Sequence, residues 1–239
     1  MYKQQFVSEG GIMLGIIGAM NEEIDIIKND MKNIIEEKIG NIVFIKGILY
    51  NHEVVLVESG IGKVNSSITA TLLIYKYNVD YVLFSGVAGS IDEELSIGDV
   101  VIGTDLIQHD MDVREFGLEK GQIPRMNEWK FQPSEKLLDI SKEINLGEHK
   151  ILYGRIISGD QFISGKQNKI KLGKEFKALC VDMESASVAQ VCYQLGKEFL
   201  IVRSISDSIT DETIMEYSEF VHLGAENSKK IIESLLKKI

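Results

Sequence analysis

The chain has 239 residues, enough to bury a core of its own as one domain, and carries 36 acidic against 26 basic side chains, a net charge of −10. With 44% hydrophobic and 26% charged residues, only 2 prolines and no clustered Lys/Arg stripe, it is not collagen-like, proline-rich or disordered, and it is poorly suited to nucleic acid or an anionic membrane. Two cysteines without a CxxC and four scattered histidines without an HxxxH pair exclude a disulfide scaffold and argue against a zinc site, so Cys180 and Cys192 read as buried reduced thiols.

No apolar run reaches transmembrane length, and the polar first eleven residues lack the apolar core of a signal peptide. Residues 1–12 are therefore expected to be a leader or an alternative start, residues 13–239 the domain, and the cytoplasm the location. A short buried strand is predicted at 14–18. Ile24, Ile27, Met31 and Ile34/Ile35 then share one face of a helix predicted over 21–35. Strands at 42–50 and 53–58 flank Asn51-His52 as a hairpin, and Lys63–Tyr77 reads as a helix. Further strands are predicted at 81–84, 99–107, 151–157, 178–181 and 199–203. Helices are predicted at 134–144, capped by Ser134 after Pro133, then at Lys166–Phe176, 184–195 and 215–238. Residues 108–133 have no periodicity, which is expected of a functional or interface loop. Strand and helix alternate throughout. The expected fold is a single α/β domain whose central mixed, largely parallel sheet is flanked by helices, with an antiparallel hairpin near 42–58.

In open α/β sheets, ligands sit beyond the carboxyl ends of the strands. The residues following the apolar strands here are Met20-Asn21-Glu22-Glu23, Ser85-Gly86-Val87-Ala88-Gly89-Ser90, Ser158-Gly159-Asp160-Gln161-Phe162-Ile163, Asp182-Met183-Glu184 and Arg203-Ser204-Ile205-Ser206-Asp207. Acids, a glycine-rich segment and an aromatic would meet on one rim, a pattern suited to acid–base work on a polar, partly flat ligand. Simpler motifs fail. Gly62-Lys63 cannot close a P-loop, because positions 57 and 64 are both Val. Gly60-Ile61-Gly62 is a near miss of the dinucleotide fingerprint and reads as a tight turn at a helix start, and no G-x-S-x-G elbow exists.

Seven segments in order, 15–23, 59–64, 85–90, 109–113, 158–162, 181–184 and 203–207, resemble the 5′-methylthioadenosine/S-adenosylhomocysteine nucleosidases of the purine nucleoside phosphorylase/uridine phosphorylase superfamily. The resemblance runs from Met13 to the end and implies a nucleoside phosphorylase-like fold and hydrolysis of an adenine N-glycosidic bond through an oxocarbenium-like state, without a cofactor or metal. It implies Glu23 as the base that activates water, Glu184 as the acceptor of the ribose hydroxyls, and Asp207, supported by Ser206, as the acid that protonates adenine N7. For that role Asp207 is expected to be buried or to lie beside negative charge. Phe162 would stack on adenine and the Ile163 backbone read its edge. Ala88, Gly89 and Met183 would line the nucleoside, and Met20, Ile61 and Tyr217 would wall the 5′-thio end. Val113, Phe116 and Pro124 would reach into a neighbouring subunit's site, making the protein a homodimer. On the residues alone, Glu23 is by default a solvated first-turn acid, Glu184 reads equally well as a helix N-terminal acid, Asp207 as a turn residue and Phe162 as core. Glu22 is the comparison and is expected to be exposed.

The chain departs from the family pattern at Val87, where Ser often stands and helps to place the water, at Asp182, where Glu is frequent, and at Tyr217, where Phe is expected. The Val-Ala-Gly-Ser pattern also occurs in nucleosidases that split 6-amino-6-deoxyfutalosine, which is an alternative substrate. Phosphorolysis is a second alternative, but the loops where related phosphorylases carry Arg have none here, and Arg203 alone is a thin anion site. A non-catalytic nucleoside-binding module would have no need for Glu23 and Asp207 together.

Overall fold

The computed structural model describes the backbone of residues 11–209 and 217–239 and the side chains of 11–209 and 222–239. Most of the leader expected at 1–12, the start of the helix expected at 215 and the Tyr217 side chain lie outside these described residues.

Five strands form a closed ring. β5 (Tyr81–Ser90) pairs in parallel with β9 (Glu198–Asp207), which pairs antiparallel with β6 (Val100–Gln108). From β6 the ring runs in parallel through β7 (Ile151–Ser158) to β8 (Cys180–Asp182), and Gly89 and Ser90 of β5 close it against Val181 and Cys180. A wing extends from β5 through β1 (Met13–Gly18), β4 (His52–Glu58), β3 (Ile42–Leu49) and β2 (Lys32–Ile39). The sheet is thus mixed as expected, but barrel-like rather than open. Five of its pairings are parallel (β1 with β4 and β5, β5 with β9, β6 with β7, β7 with β8) and four antiparallel.

Closure depends on β5 running on past the strand predicted at 81–84. Residues 85–90 have a turn-like composition, yet their backbone pairs with β9 from Ser85↔Val202 to Gly89↔Asp207, with one irregularity between Ala88 and Gly89. Available backbone partners outweighed local composition. β5 pairs with β9 of the ring from Tyr81 to Gly89; its first half also joins the wing, through Leu14–Ile17 of β1, and its last two residues close the ring on β8.

The helix predicted over 21–35 is a second correction. α1 (Asn21–Lys28) covers only its first half, and β2 follows as an edge strand on β3. Ile34 and Ile35, assigned to the helix's apolar face, are 40% and 51% exposed. Asn33 takes φ +54° where the pairing shifts register, a bulge that bends this edge. The expected hairpin forms, but its turn is Tyr50-Asn51 rather than Asn51-His52: His52 pairs with Leu49, and Tyr50 and Asn51 both take positive φ, the backbone of a tight turn between twisted strands.

Alternating side chains of the strands build a core on each face. One face packs Phe44, Leu73, Phe84 and Val188 with α2 (Lys63–Tyr77) and α5 (Ser185–Leu195), and Ser66 and Ser187 share a hydrogen bond of 2.7 Å between these helices. The opposite face packs Leu14, Leu56, Leu83, Ile231 and Leu235 with α1 and α6 (Tyr217–Leu236). Ser134 caps α3 (Glu135–Ser141), accepting from Leu137 N at 3.5 Å, and α4 (Lys166–Phe176) precedes β8. Cys180 and Cys192 are free and buried, as expected. The 108–133 stretch is irregular, with one 3-10 turn at Arg114–Phe116. Among the described residues, no helix is long and apolar enough to cross a membrane.

Candidate active site

The carboxyl ends of β1, β5, β8 and β9, with the segments after β4 and β7, surround an open cleft. Its walls include Met20, Glu23, Ile61, Ala88, Gly89 and Phe162. They also include Ile163, Met183, Glu184, Ser206 and Asp207, so the structure brings together most of the residues expected from sequence.

Glu23 reaches the cleft because the chain leaves β1 at Gly18 and starts α1 three residues later. In the first turn of α1 its carboxylate folds back over the helix start. Oε2 accepts from Ala19 N (2.6 Å) and Met20 N (3.2 Å), and Oε1 accepts from Val87 N across the cleft (2.9 Å). These donors are backbone N–H groups that a helix start and a strand end would otherwise leave unpaired. Glu23 is 2% exposed whereas Glu22 is exposed, so the solvated first-turn reading holds for Glu22 alone. Burial lifts the Glu23 carboxyl above its ordinary value, against the opposing field of Arg203 and the three N–H donors.

Glu184 is the N-cap of α5. Its Oε1 accepts from Gly62 N at 2.8 Å, so the start of α2 holds it from the other side. The residue is pushed up to about 7, first by burial and then by the neighbouring Asp182 charge, with Arg203 opposing. Arg203 is fully buried beneath this pair and does not itself line the cleft. Its Nε donates to Ser185 Oγ (2.9 Å) and lies 2.7 Å from Asp182 Oδ2, its Nη2 is 3.8 Å from Glu184 Oε2, and its plane sits 3.9 Å over the Phe84 ring. Nη1 and Nη2 have no hydrogen-bond partner among the described residues. Asp182 is held in turn by Ser158 Oγ (2.5 Å), the N–H groups of Glu184 and Ser185, and Ser185 Oγ. Gly86 makes room for this packing: a Cβ there would lie 2.5 Å from Glu23 Oε1 and collide with Arg203 Nη1.

Asp207, at the end of β9, faces the far side of the cleft. Ser206 Oγ donates weakly to its Oδ1 (3.4 Å), and Gly89 lets it approach, since a Cβ would stand 3.0 Å from each carboxylate oxygen. Its surroundings differ from the expectation. Asp207 is only half-buried, and its direct ionic partner is a cation, Lys169 of α4. Sequence reasoning missed Lys169 and Ser185 and gave Ser158 a place on the rim but no role. A signal for Lys169 was present: it precedes Gly173 and Phe176 by four and seven residues, on the buried face of a helix, where an apolar residue belongs.

Phe162 is 61% exposed at the rim and is not a core residue. Val113, Phe116 and Pro124 do not line this cleft within one chain, and Phe116 is 81% exposed. Tyr217 begins α6, but its side chain is not among those described.

A model of the phosphorylase superfamily matches residues 13–237. The 5′-methylthioadenosine/S-adenosylhomocysteine nucleosidase of Staphylococcus aureus (strain JH9) is 40% identical over 229 residues, covering 95% of this chain and 100% of that protein. Among solved structures, the nucleosidase of that name from Helicobacter pylori, complexed with butyl-thio-DADMe-Immucillin-A, is 39% identical with a TM-score of 0.90, covering 97% of this chain and 100% of the other. The futalosine hydrolase of H. pylori strain 26695 is also 39% identical, with a TM-score of 0.89 and coverage of 95% and 98%. With matches of this extent along its length, the chain belongs to the phosphorylase superfamily and, within it, to the family of 5′-methylthioadenosine/S-adenosylhomocysteine nucleosidases.

Proposed function

We propose that this protein hydrolyses the N-glycosidic bond of 5′-methylthioadenosine and S-adenosylhomocysteine, releasing adenine and the 5′-thio-ribose. The observation that carries this reading is one cleft with a buried, backbone-held carboxylate at one end (Glu23), an acid at the other (Asp207) and Glu184 among its walls. Glu23 takes the proton of the attacking water, and its charge stabilises the cation forming at C1′. Glu184 accepts from the ribose hydroxyls. Asp207, with Ser206, protonates N7 so that adenine leaves neutral. Phe162 stacks on the base, the Ile163 backbone reads its edge, Ala88, Gly89 and Met183 line the nucleoside, and Met20 and Ile61 wall the 5′-thio end. These steps call for no cofactor.

Hydrolysis is favoured over phosphorolysis because, among the described residues, no Arg or Lys lines the cleft, and Arg203 beneath it is engaged by Asp182. Val87 packs against Gly224 of α6 and offers no hydroxyl to a water, which leaves Glu23 and backbone groups of the cleft to hold it. A second reading, hydrolysis of 6-amino-6-deoxyfutalosine, is supported by this Val87 and by the equal likeness to a futalosine hydrolase. The test is adenine release from each nucleoside with and without phosphate. Phosphate-independent release from 5′-methylthioadenosine is expected, and release only with phosphate would overturn the hydrolytic reading.

The same proposal takes residues 13–239 as the nucleosidase domain, supported by the start of the family match, and residues 1–12 as an extension. It places the enzyme in the cytoplasm, where two free thiols stay reduced. It also makes the enzyme a homodimer in which Val113, Phe116 and Pro124 complete the partner's site, since a phenylalanine as exposed as Phe116 otherwise lacks a role. Phe116→Ala is expected to raise KM about 10-fold and weaken the dimer, read by steady-state kinetics and sedimentation; an unchanged KM in a fully active monomer would remove the shared site. Gly86→Ala is expected to cut kcat about 100-fold by displacing Glu23 and Arg203, and a kcat within twofold of the parent would show that the two side chains can give way.

A further inference from the structure

Lys169 is the only lysine buried among the described residues, at 4% exposure. Removing an ammonium from water costs several kcal/mol unless it is paired, and a methionine would fill this face of α4 without that cost. Lys169 Nζ spends two of its three N–H groups on Asp207 Oδ2 and on Ser208 O (2.9 Å), both at the end of β9. Asp207 lies between this ammonium and the cleft, because Asp207 lines the cleft and Lys169 does not.

The charges divide along the cleft. Glu23, Glu184 and Asp182 gather at one end around Arg203, three acids against one base. At the other end, Asp207 is balanced by Lys169. If the glycosidic bond lies between them, as the proposed function has it, positive charge grows near the acids as the bond's electron pair moves toward Lys169. A fixed ammonium behind the leaving group favours that displacement.

We propose that Lys169 is a positioning residue that holds Asp207 and supplies the proton Asp207 delivers to the departing base; this rests on the role given to Asp207 above. The resting pair is Lys169 ammonium and Asp207 carboxylate. As the C1′–N9 bond breaks, its electron pair enters the purine. One N–H bond of Lys169 breaks, its proton passes through the Asp207 carboxyl, and an N7–H bond forms. Water adds to C1′ and gives its proton to Glu23. The step leaves neutral adenine, Lys169 as an amine and Glu23 as an acid. Loss of a proton from Glu23 and gain of one by Lys169, both through solvent, restore the enzyme.

Among the described residues, few other titratable groups face the pair. β8 contributes the buried Cys180 thiol, which feels the Asp207 charge. β5 contributes Gly89 and Ser90, neither of which titrates, and the Lys166 side chain one turn earlier on α4 is exposed.

The test is kcat and KM for adenine release from 5′-methylthioadenosine between about pH 5 and pH 9 for Lys169→Met and Lys169→Arg. For Lys169→Met, kcat at pH 8 is expected to fall about 100-fold with KM within about 3-fold, and the deficit to shrink toward pH 5 as solvent protons reach Asp207. Lys169→Arg keeps the carboxylate in place but holds its proton too tightly to give it up, so KM should be preserved while kcat at pH 8 stays low. Wild-type kcat at pH 8 in either variant, or a loss equal at every pH, overturns the proposal. If Lys169→Met does not fold, the arginine variant decides it. Failure of the parent reading looks different: wild-type enzyme would release no adenine, or Asp207→Asn would turn over normally.

Discussion

Glu23→Gln is expected to lower kcat for adenine release about 10³-fold while substrate binding stays measurable by calorimetry. The amide has the size of the carboxylate but cannot take a proton from water. Three backbone N–H groups point at this side chain, from Ala19, Met20 and Val87. A carboxylate accepts all three, whereas an amide must turn its own NH₂ toward at least one of them. The buried mismatch costs about 1–3 kcal/mol, offset in part because a neutral group is easier to bury. The variant should therefore fold, with Arg203 still held by Asp182. Normal turnover would remove Glu23 from the mechanism. The wild-type pH profile is a second check. Burial raises the Glu23 carboxyl, so it still holds its proton at pH values where an ordinary glutamate has lost it, and a protonated Glu23 cannot act as base. Activity should therefore fall on acidification at a pH above the ordinary carboxylate range. Glu184, pushed up to about 7, acts in the same direction because its charged form is the better acceptor of ribose hydroxyls.

Asp207→Asn is the second large effect, with kcat expected to fall about 10²- to 10³-fold and KM to change little. The asparagine keeps the side chain's shape and can still donate to N7, but it has no proton to give up. The variant also leaves the Lys169 ammonium buried without its counter-charge. Losing one member of a buried pair is destabilising; because Asp207 is partly open to the cleft, the cost is taken as about 1–3 kcal/mol, visible as a lower Tm. Glu23→Gln creates no such unpaired cation, so the two variants should separate in a thermal melt even where both are inactive. An Asp207→Asn enzyme with wild-type kcat would take the acid out of the reaction.

Much of the molecule was legible in the chain. The helices at Lys63–Tyr77 and Lys166–Phe176 have the predicted bounds, because an apolar face at helical spacing lies between clear stops, and Asn78 and Lys177 both end their helices in the left-handed conformation. The hairpin at 50–52 is equally local. The strand ends were placed well enough to put Glu23, Phe162, Glu184 and Asp207 on one rim, since the end of an apolar run is itself a local signal.

Only the tertiary structure decided the rest. Ile34 and Ile35 satisfy helical and strand periodicity alike over so short a stretch, and pairing with β3 chose the strand. The glycine-rich residues 85–90 became strand because β9 and β8 offered their backbone groups partners, and this closed the ring. Glu22 and Glu23 are the same residue type at adjacent positions, and burial against Val87, 64 residues away, is what tells them apart. Lys169 and Asp207 are 38 residues apart on a helix and a strand, and no local pattern links them. The sequence determined most of the helices and the hairpin, because propensity and periodicity act over a few residues, whereas β2 and the end of β5 waited on pairing. Which carboxylate is dry, which is pushed up and which faces a cation depend on desolvation and charge between distant segments, and these exist only once the chain has folded.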